Sequence, residues 1–344
     1  MIREAIAKIA DGKDLSREEA IRVMEEIATG AAKPQLITAL LASLRTKGET
    51  VDEITGFATV MRRHAIHISP TRSDLVDTCG TGGDGANTFN ISTAASFVIA
   101  GAGVGVAKHG NRAVSSSCGS ADLLESLGVE IVLGEKEVAR CIDEVGIGFL
   151  FAQRLHPAMK HAAGPRKELG MRTVFNMLGP LTNPASVKRQ LLGTFDGRLA
   201  LKLIKVMAEL GAERALVVHS DDGLDEISIS GRTSGYYFDG ERIMRILMTP
   251  EEYGVRSAPL EAIKARSLEE SRNVFLSVLN GSNGPAKDVV LLNAGAGLFV
   301  AGLSASIGEG VERARESIDS GKALESFEGL KAISRELGSG QKRG

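Results

Sequence analysis

The sequence predicts a small all-α domain followed by a large α/β domain with a mostly parallel central sheet. Three observations carry that expectation. The first 65 residues have the apolar spacing of helices and no strand signal. From Pro70 onward, short apolar runs alternate with helical segments, the pattern of strand–helix units. Finally, 40 of the 344 residues are glycine, above the average of roughly 7%, with no strict period. Such glycine points to tight turns and to backbone approaching a ligand closely.

Ile2, Ile6 and Ile9 fall at i, i+4 and i+7 and mark a first helix. Ser16-x-x-Glu19 is a capping box for a second, closed by Gly30. Pro34 suits the first turn of a third, with Ile37, Leu40, Leu41 and Leu44 on one face and Gly48 after it. Thr50-x-x-Glu53 caps a fourth, which carries Ile54, Phe57 and Met61. Beyond Pro70, strands are expected at 75–78, 103–107, 147–151, 190–193 and 215–219, with helices starting near Ser92, Gly119, Glu135 and Arg198. Residues 157–185 interrupt the alternation with a Pro- and Gly-punctuated helical stretch. After Glu226 come hairpin-like pieces (EISIS and GYYFDGERI), then helices to Leu337 and a terminal GSGQKRG expected to fray. The expected division is 1–68 for the helical domain, with 157–185 packing on it, and 69–344 for the α/β domain.

Composition narrows the function. With 24% charged residues the chain is an ordinary globular protein rather than a disordered one, and a net charge of −2 gives no footprint for nucleic acid. Three scattered cysteines (Cys79, Cys118, Cys141) imply no disulfide framework. The N-terminus lacks the apolar core of a signal peptide, and the weakly polar stretch 91–107 is mostly Ala, Gly and Ser, unlike a membrane span. A soluble, cytoplasmic protein without membrane partners is expected.

Three segments suggest phosphate chemistry. In the first, a strand ending at Asp77-Thr-Cys runs into Gly80, Gly82, Gly83 and Gly85, and a helix opened by Asn90, Ser92 and Thr93 follows. Backbone N–H groups can meet an anion there without a Cβ in the way, although a plain glycine turn with a cap reads equally well. Gly80-x-Gly82-x-x-Gly85 matches the dinucleotide fingerprint in letters only. ANTFN intervenes before the helix, and the next strand ends in Lys108-His109 instead of an acid. The second segment, from Lys108 to Ser116, is expected to follow its strand directly and offers two cations with hydroxyl and amide groups. The third ends a strand with Asp221, Asp222, Asp225 and Glu226, hard oxygen donors suited to Mg2+, or simply an acidic turn. A fourth stretch holds His156, Arg166 and Asn176 through Pro184. An arginine on such a helix ordinarily reads as a surface residue.

In these motifs and their order, the chain resembles the anthranilate phosphoribosyltransferases: 77–93 with GTGGDG, 108–122 with KHGN, 156–184, and 217–228 with DGLDE. The resemblance extends from the N-terminal helices to Asn293-Ala-Gly-Ala296. It implies transfer of the phosphoribosyl group of PRPP to the amine of anthranilate, in tryptophan biosynthesis, by a homodimer joined through the helical domains. It implies Mg2+ as cofactor, as two ions, with ligands Ser92, Asp225 and Glu226. PRPP contacts would fall on Gly80, Gly83, Asp84, Thr88, Asn90, Ile91, Ser92 and Thr93. They would continue over Lys108, His109, Gly110, Asn111, Arg112, Ala113, Val114, Ser115, Ser116 and Ser120. Anthranilate contacts would fall on Gly80, Asn111 and Arg166, with His156 nearby. Lys108, Asn111 and Arg166 would act by electrostatics and positioning. The chain departs from the family at Ser117 (usually Lys), Gly164-Pro165 (usually Pro-Val) and Ser220 (usually Gly). A pyrimidine nucleoside phosphorylase shares the implied architecture but carries a K-H-S-T-G-G-type loop where this chain has GTGGDG. A nucleic-acid-binding paralogue is disfavoured by Asp225, Glu226 and Arg166.

Overall fold

The computed structural model of the chain describes residues 1–113 and 118–341. Four helices open it: α1 (Ile2–Ala10), α2 (Arg17–Ala28), α3 (Pro34–Lys47) and α4 (Val51–Arg63). Both expected capping boxes form, Ser16 with Glu19 and Thr50 with Glu53. Pro34 stands in the first turn of α3, and Gly48 ends that helix at φ +88°.

Glu53 does more than cap α4. Fully buried, it accepts the Leu15 N–H on Oε1 at 2.9 Å and the Thr50 N–H on Oε2 at 2.8 Å. Its Oε2 also meets Lys47 Nζ at 3.0 Å. One carboxylate thus joins the approach to α2, the end of α3 and the start of α4.

The rest of the chain runs β1 (Leu75–Gly80), α5 (Ile91–Gly101), β2 (Gly105–Gly110), α6 (Ser120–Ser126), α7 (Glu135–Val145) and β3 (Ile147–Phe151). Next come α8 (Ala152–Leu155), α9 (Lys160–Leu169), α10 (Phe175–Leu181), β4 (Arg189–Gly193), α11 (Gly197–Glu209) and β5 (Arg214–Ser220). It ends with β6 (Thr233–Phe238), β7 (Ile243–Met248), α12 (Leu268–Leu279), α13 (Pro285–Ala301), α14 (Ile307–Asp319) and α15 (Lys322–Gln341). The seven strands form one sheet in the order β3-β2-β1-β4-β5-β6-β7. β1 to β5 are parallel, and β6 and β7 add an antiparallel edge. From β1 the chain builds outward through β2 and β3, then crosses to β4 on the other side. Strand order therefore reverses between β1 and β4, and the crevice beyond their carboxyl ends is where open α/β sheets take ligands.

Two cores hold this together. One lies under α5 and α12 to α15, where Phe97, Phe275 and Phe327 meet edge to face with centroids 5.4–5.7 Å apart. The other joins Leu41 and Phe57 of the opening helices to Ala162, Leu178 and Leu181, and continues to Leu203 of α11 and Val217 of β5. α9 lies on α3 and α10 on α4, so the interrupting stretch does cover the opening helices. Pro165 sits buried inside α9, where it removes the N–H that would meet the His161 carbonyl; the helix continues past it.

Several expectations need correction. β2 continues through Lys108 and His109 to Gly110, because the ladder to β3 persists there, so these two residues belong to the strand and not to the loop after it. EISIS (226–230) is not a strand; the antiparallel strands begin at Thr233, and the backbone of Ile227 pairs with a side chain instead. The GSGQKRG tail stays helical to Gln341, and its last three residues lie outside the described ones. Among the described residues no helix is long and apolar enough to cross a membrane.

Glu53→Ala should lower unfolding free energy by at least about 2 kcal/mol, since it removes a cap and orphans a buried N–H. A urea titration measures this, and a loss below about 0.5 kcal/mol would refute the anchoring role.

Candidate active site

The loop leaving β1 is fastened at its start. Thr81 N–H donates to the Gly193 carbonyl at 2.9 Å, and Gly82 N–H donates to Asp225 Oδ2 at 2.6 Å. Gly82, Gly83 and Gly85 take φ of +70°, +80° and +72°, a region that L side chains rarely adopt. The next three N–H groups, of Gly83, Asp84 and Gly85, have no acceptor among the described residues. Successive free donors on a left-handed loop form a concavity for an anion. The N-terminus of α5 follows and adds its partial positive charge.

Lys108 enters from β2. It is buried, and its Nζ donates to the Thr78 carbonyl at 2.8 Å and lies 3.5 Å from Ser92 Oγ. Burial pulls its pKa down, while the charge of Asp77, then those of Cys79 and Glu226, oppose that fall.

The four carboxylates after β5 divide into two pairs. Asp221 pairs with Arg232 at 3.0 Å, and Asp222 accepts from Ser228 Oγ, Ser230 Oγ and the Leu224 N–H. Both shape the turn. Asp225 and Glu226 instead face the glycine loop and α5, where Glu226 Oε1 accepts the Ser92 N–H at 3.1 Å. Their approach needs glycine at two points: a Cβ on Gly80 or Gly193 would run into Asp225. Burial, then the charge of Asp84, pushes Asp225 up to about 7; burial, then Asp225, pushes Glu226 up to about 8. The two carboxylates are hard oxygen donors crowded with like charge, which a divalent cation would relieve. Among the described residues no three His, Cys, Asp or Glu side chains form a metal cage. Mg2+ usually takes one or two carboxylates and completes its shell with phosphate oxygens and water.

Residues outside the assigned contact set hold this turn and the end of β1. The Ser220 hydroxyl donates to the Glu226 carbonyl at 2.7 Å, so the serine at a position usually glycine secures the backbone. The buried Asn293 amide pairs with Ile227 both ways, each bond 2.9 Å. Asn183 Nδ2 donates to Asp77 Oδ2 and to the Ala107 carbonyl, both at 2.8 Å, while Asp77 Oδ1 accepts the His109 N–H. Burial raises Asp77 to about 6. These groups lie in stretches that carry the resemblance, but their spacing along the chain gives no sign of which backbone they hold.

The remaining candidates separate. His109 and His156 face each other with Nε2 atoms 3.2 Å apart, and burial first of all pushes them down to about 3 and about 4, so both are neutral at pH 7. Asn111 Oδ1 accepts from Gln153 Nε2 at 3.2 Å, and Ser120 Oγ donates to the Asn111 carbonyl. Arg112 is committed within the protein, to Asp122 and Glu125, and the N–H of its neighbour Ala113 donates to Asp122 as well. The Asn90 side chain is likewise engaged, by the Cys118 carbonyl and Ser271 Oγ, and Thr88 forms a bridge with Lys264. The Thr93 hydroxyl is buried without a hydrogen-bond partner among the described residues. Arg166 touches none of these groups. It is half-buried on α9 with its guanidinium 5.3 Å from the Phe175 ring centre, and no carboxylate partners it among the described residues. Burial alone lowers its pKa. Val114, Ser115, Ser116 and the departure at Ser117 lie outside the described residues.

Comparison with known proteins places this geometry. Residues 72–324 match the glycosyl transferase family a/b domain, and 3–65 match the helical bundle domain of the same family. An anthranilate phosphoribosyltransferase of Pelotomaculum thermopropionicum is 51% identical over 341 residues, covering 99% of each chain. The crystal structure of the Thermus thermophilus enzyme of that name superposes with a TM-score of 0.91 at 44% identity, covering 96% of this chain and 99% of the other. The Saccharomyces cerevisiae enzyme in complex with PRPP and Mg gives a TM-score of 0.89 at 28% identity, covering 98% of both chains.

Gly193→Ala should displace the Asp225 backbone and weaken binding of magnesium diphosphate by about ten-fold or more, the loss of roughly one charge-assisted contact. Calorimetric titration with that probe checks it; unchanged affinity would mean the turn has room to spare.

Proposed function

The chain belongs to the anthranilate phosphoribosyltransferases, and from that premise we propose which of its residues carry the reaction. It transfers the phosphoribosyl group of PRPP to the amine of anthranilate, giving N-(5-phosphoribosyl)anthranilate and diphosphate, a step in tryptophan biosynthesis. The observation supporting the assignment is the convergence, beyond β1 and β4, of three unpaired loop N–H groups, buried Lys108 and the Asp225–Glu226 pair.

An aromatic amine is unprotonated at neutral pH, so its lone pair attacks C1′ with little need of a strong base. The nitrogen–C1′ bond forms, the C1′–oxygen bond to diphosphate breaks, and the nitrogen sheds one proton. The demanding part is the negative charge on the departing diphosphate. The N–H groups of Gly83, Asp84 and Gly85, the α5 N-terminus and Lys108 meet that charge with dipoles and a cation already in place. Ser92, Asp225 and Glu226 would hold Mg2+, as two ions, which when bound neutralises phosphate oxygens. The remaining PRPP contacts implied by the resemblance follow the same loops, but Arg112 and Asn90 would have to give up protein partners for their side chains to join.

Arg166 is the residue we assign to the anthranilate carboxylate. A half-buried guanidinium with only the Phe175 ring beside it and no acidic partner among the described residues has lost water for little in return, and a bidentate carboxylate would offset that loss. Gly80 and Asn111, with His156 nearby, complete the anthranilate contacts that the resemblance implies.

A homodimer through the opening helices, a working division at residue 68 and a cytoplasmic location complete the proposal. The dimer rests on the family resemblance, because α9 to α11 already cover the apolar stripes of those helices, leaving Ile6 and Leu36 half-buried. Sedimentation as a monomer at micromolar concentration would remove it.

The direct test is loss of anthranilate fluorescence with PRPP and Mg2+, repeated with each component omitted. Diphosphate must appear; consumption of orthophosphate with a nucleoside instead would favour a nucleoside phosphorylase. Arg166→Ala should raise the KM for anthranilate roughly 10- to 150-fold, matching a charge-assisted contact of about 1.5–3 kcal/mol. The KM for PRPP should stay nearly constant, and Arg166→Lys should recover part of the loss. Equal effects on both constants would sink the assignment.

A further inference from the structure

Arg172 lies on the short link between α9 and α10, and neither the motifs nor the reaction assigned above uses it. Its side chain is exposed, and no carboxylate partners it among the described residues. It is nonetheless held at two points. Its Nη2 donates to the Gly83 carbonyl, and its guanidinium carbon stands 3.7 Å from the centre of the Phe195 ring. Phe195 belongs to the loop after β4, and its N–H reaches Thr81 Oγ1 at 3.4 Å. One side chain from the helical stretch therefore meets both loops that flank the reversal of strand order.

We infer that Arg172 is a positioning residue for the phosphate loop, fixing the Gly83–Asp84 peptide so that its N–H faces the bound diphosphate. A trans peptide is planar, and its carbonyl and N–H point in opposite directions. Holding the Gly83 carbonyl on the Arg172 side sends the Asp84 N–H to the other side, among the unpaired donors of Gly83 and Gly85. This constraint matters because Gly82, Gly83 and Gly85 leave the loop more backbone freedom than other residues would. Ordering such a loop at the moment of binding costs affinity, and an anchor from outside the loop removes part of that cost. Phe195 supplies the platform: a guanidinium on a ring face keeps its planar fork in one orientation, as an ammonium cannot. The anchor also comes from the segment that carries Arg166, six residues upstream, so the loop for one substrate is tied to the helix assigned to the other.

The inference rests on the PRPP reading of the loop, and the experiment separates the two. The native protein is first assayed for PRPP- and Mg2+-dependent loss of anthranilate fluorescence; no such activity would overturn the reading itself. Given that activity, Arg172→Ala should raise the KM for PRPP about ten-fold, the weight of one hydrogen bond to an ordered group. The thermal midpoint should stay within a few degrees of native. Arg172→Lys should recover only part of the loss. Phe195→Leu should shift the KM for PRPP in the same direction, and the double variant should be no worse than Arg172→Ala alone, because both changes release the same peptide. An unchanged KM for PRPP in Arg172→Ala would overturn the inference. So would a lower thermal midpoint with reduced kcat at unchanged KM, or full rescue by lysine.

Discussion

The site depends on burying opposite charges together at the reversal of the sheet. Lys108 is taken out of water inside β2, within reach of the fields of Asp77 and Glu226, and Asp225 and Glu226 are buried beside each other. Without bound ligand this arrangement is electrostatically costly: burial pulls the lysine towards neutrality and pushes the two acids up to about 7 and about 8. A divalent cation with a polyphosphate resolves the mismatch, since the cation answers the carboxylates and the phosphates answer the lysine.

Backbone geometry makes that burial possible. Gly80 and Gly193 sit at the ends of neighbouring strands, and only the lack of a Cβ lets the Asp225 turn press against both. Ser220, Asn293 and Asn183 then lock the approach with hydrogen bonds to backbone or carboxylate. These groups touch no substrate in the assigned chemistry, but they set where the reacting charges stand. The second core carries the other half of the design. It seats α9 and α10 on α3 and α4, which places Arg166 against Phe175 and Arg172 against the glycine loop.

Much of the fold was legible locally. Ser16-x-x-Glu19, Thr50-x-x-Glu53, Pro34 and Gly48 marked helix ends, because caps are made by residues within one turn of each other. The five parallel strands announce themselves by their apolar runs. Their carboxyl ends were drawn short where polar residues continue the ladder, as at Lys108 and His109, since a buried charge with a distant partner looks like a loop residue. The EISIS segment alternates as a strand does, but the Asn293 side chain pairs with it instead of a strand.

The sequence by itself determined the chemistry on offer: a glycine loop before a helix, cations after it, and acids at a strand end, in an order shared with one enzyme family. Residue type and short spacing decide those features, because they depend on backbone conformations and donors within a few residues. Only the tertiary structure decided which members serve the site. It turned Asp221 and Asp222 to the turn and Asp225 and Glu226 to the loop, committed Arg112 to Asp122 and Glu125, and set Arg166 against Phe175 with no carboxylate partner among the described residues. The reason is distance along the chain. The contacts of Asp225 and Glu226 come from 143 and 134 residues away, and even the partners of Arg112 lie 10 and 13 residues on, beyond the reach of a local pattern.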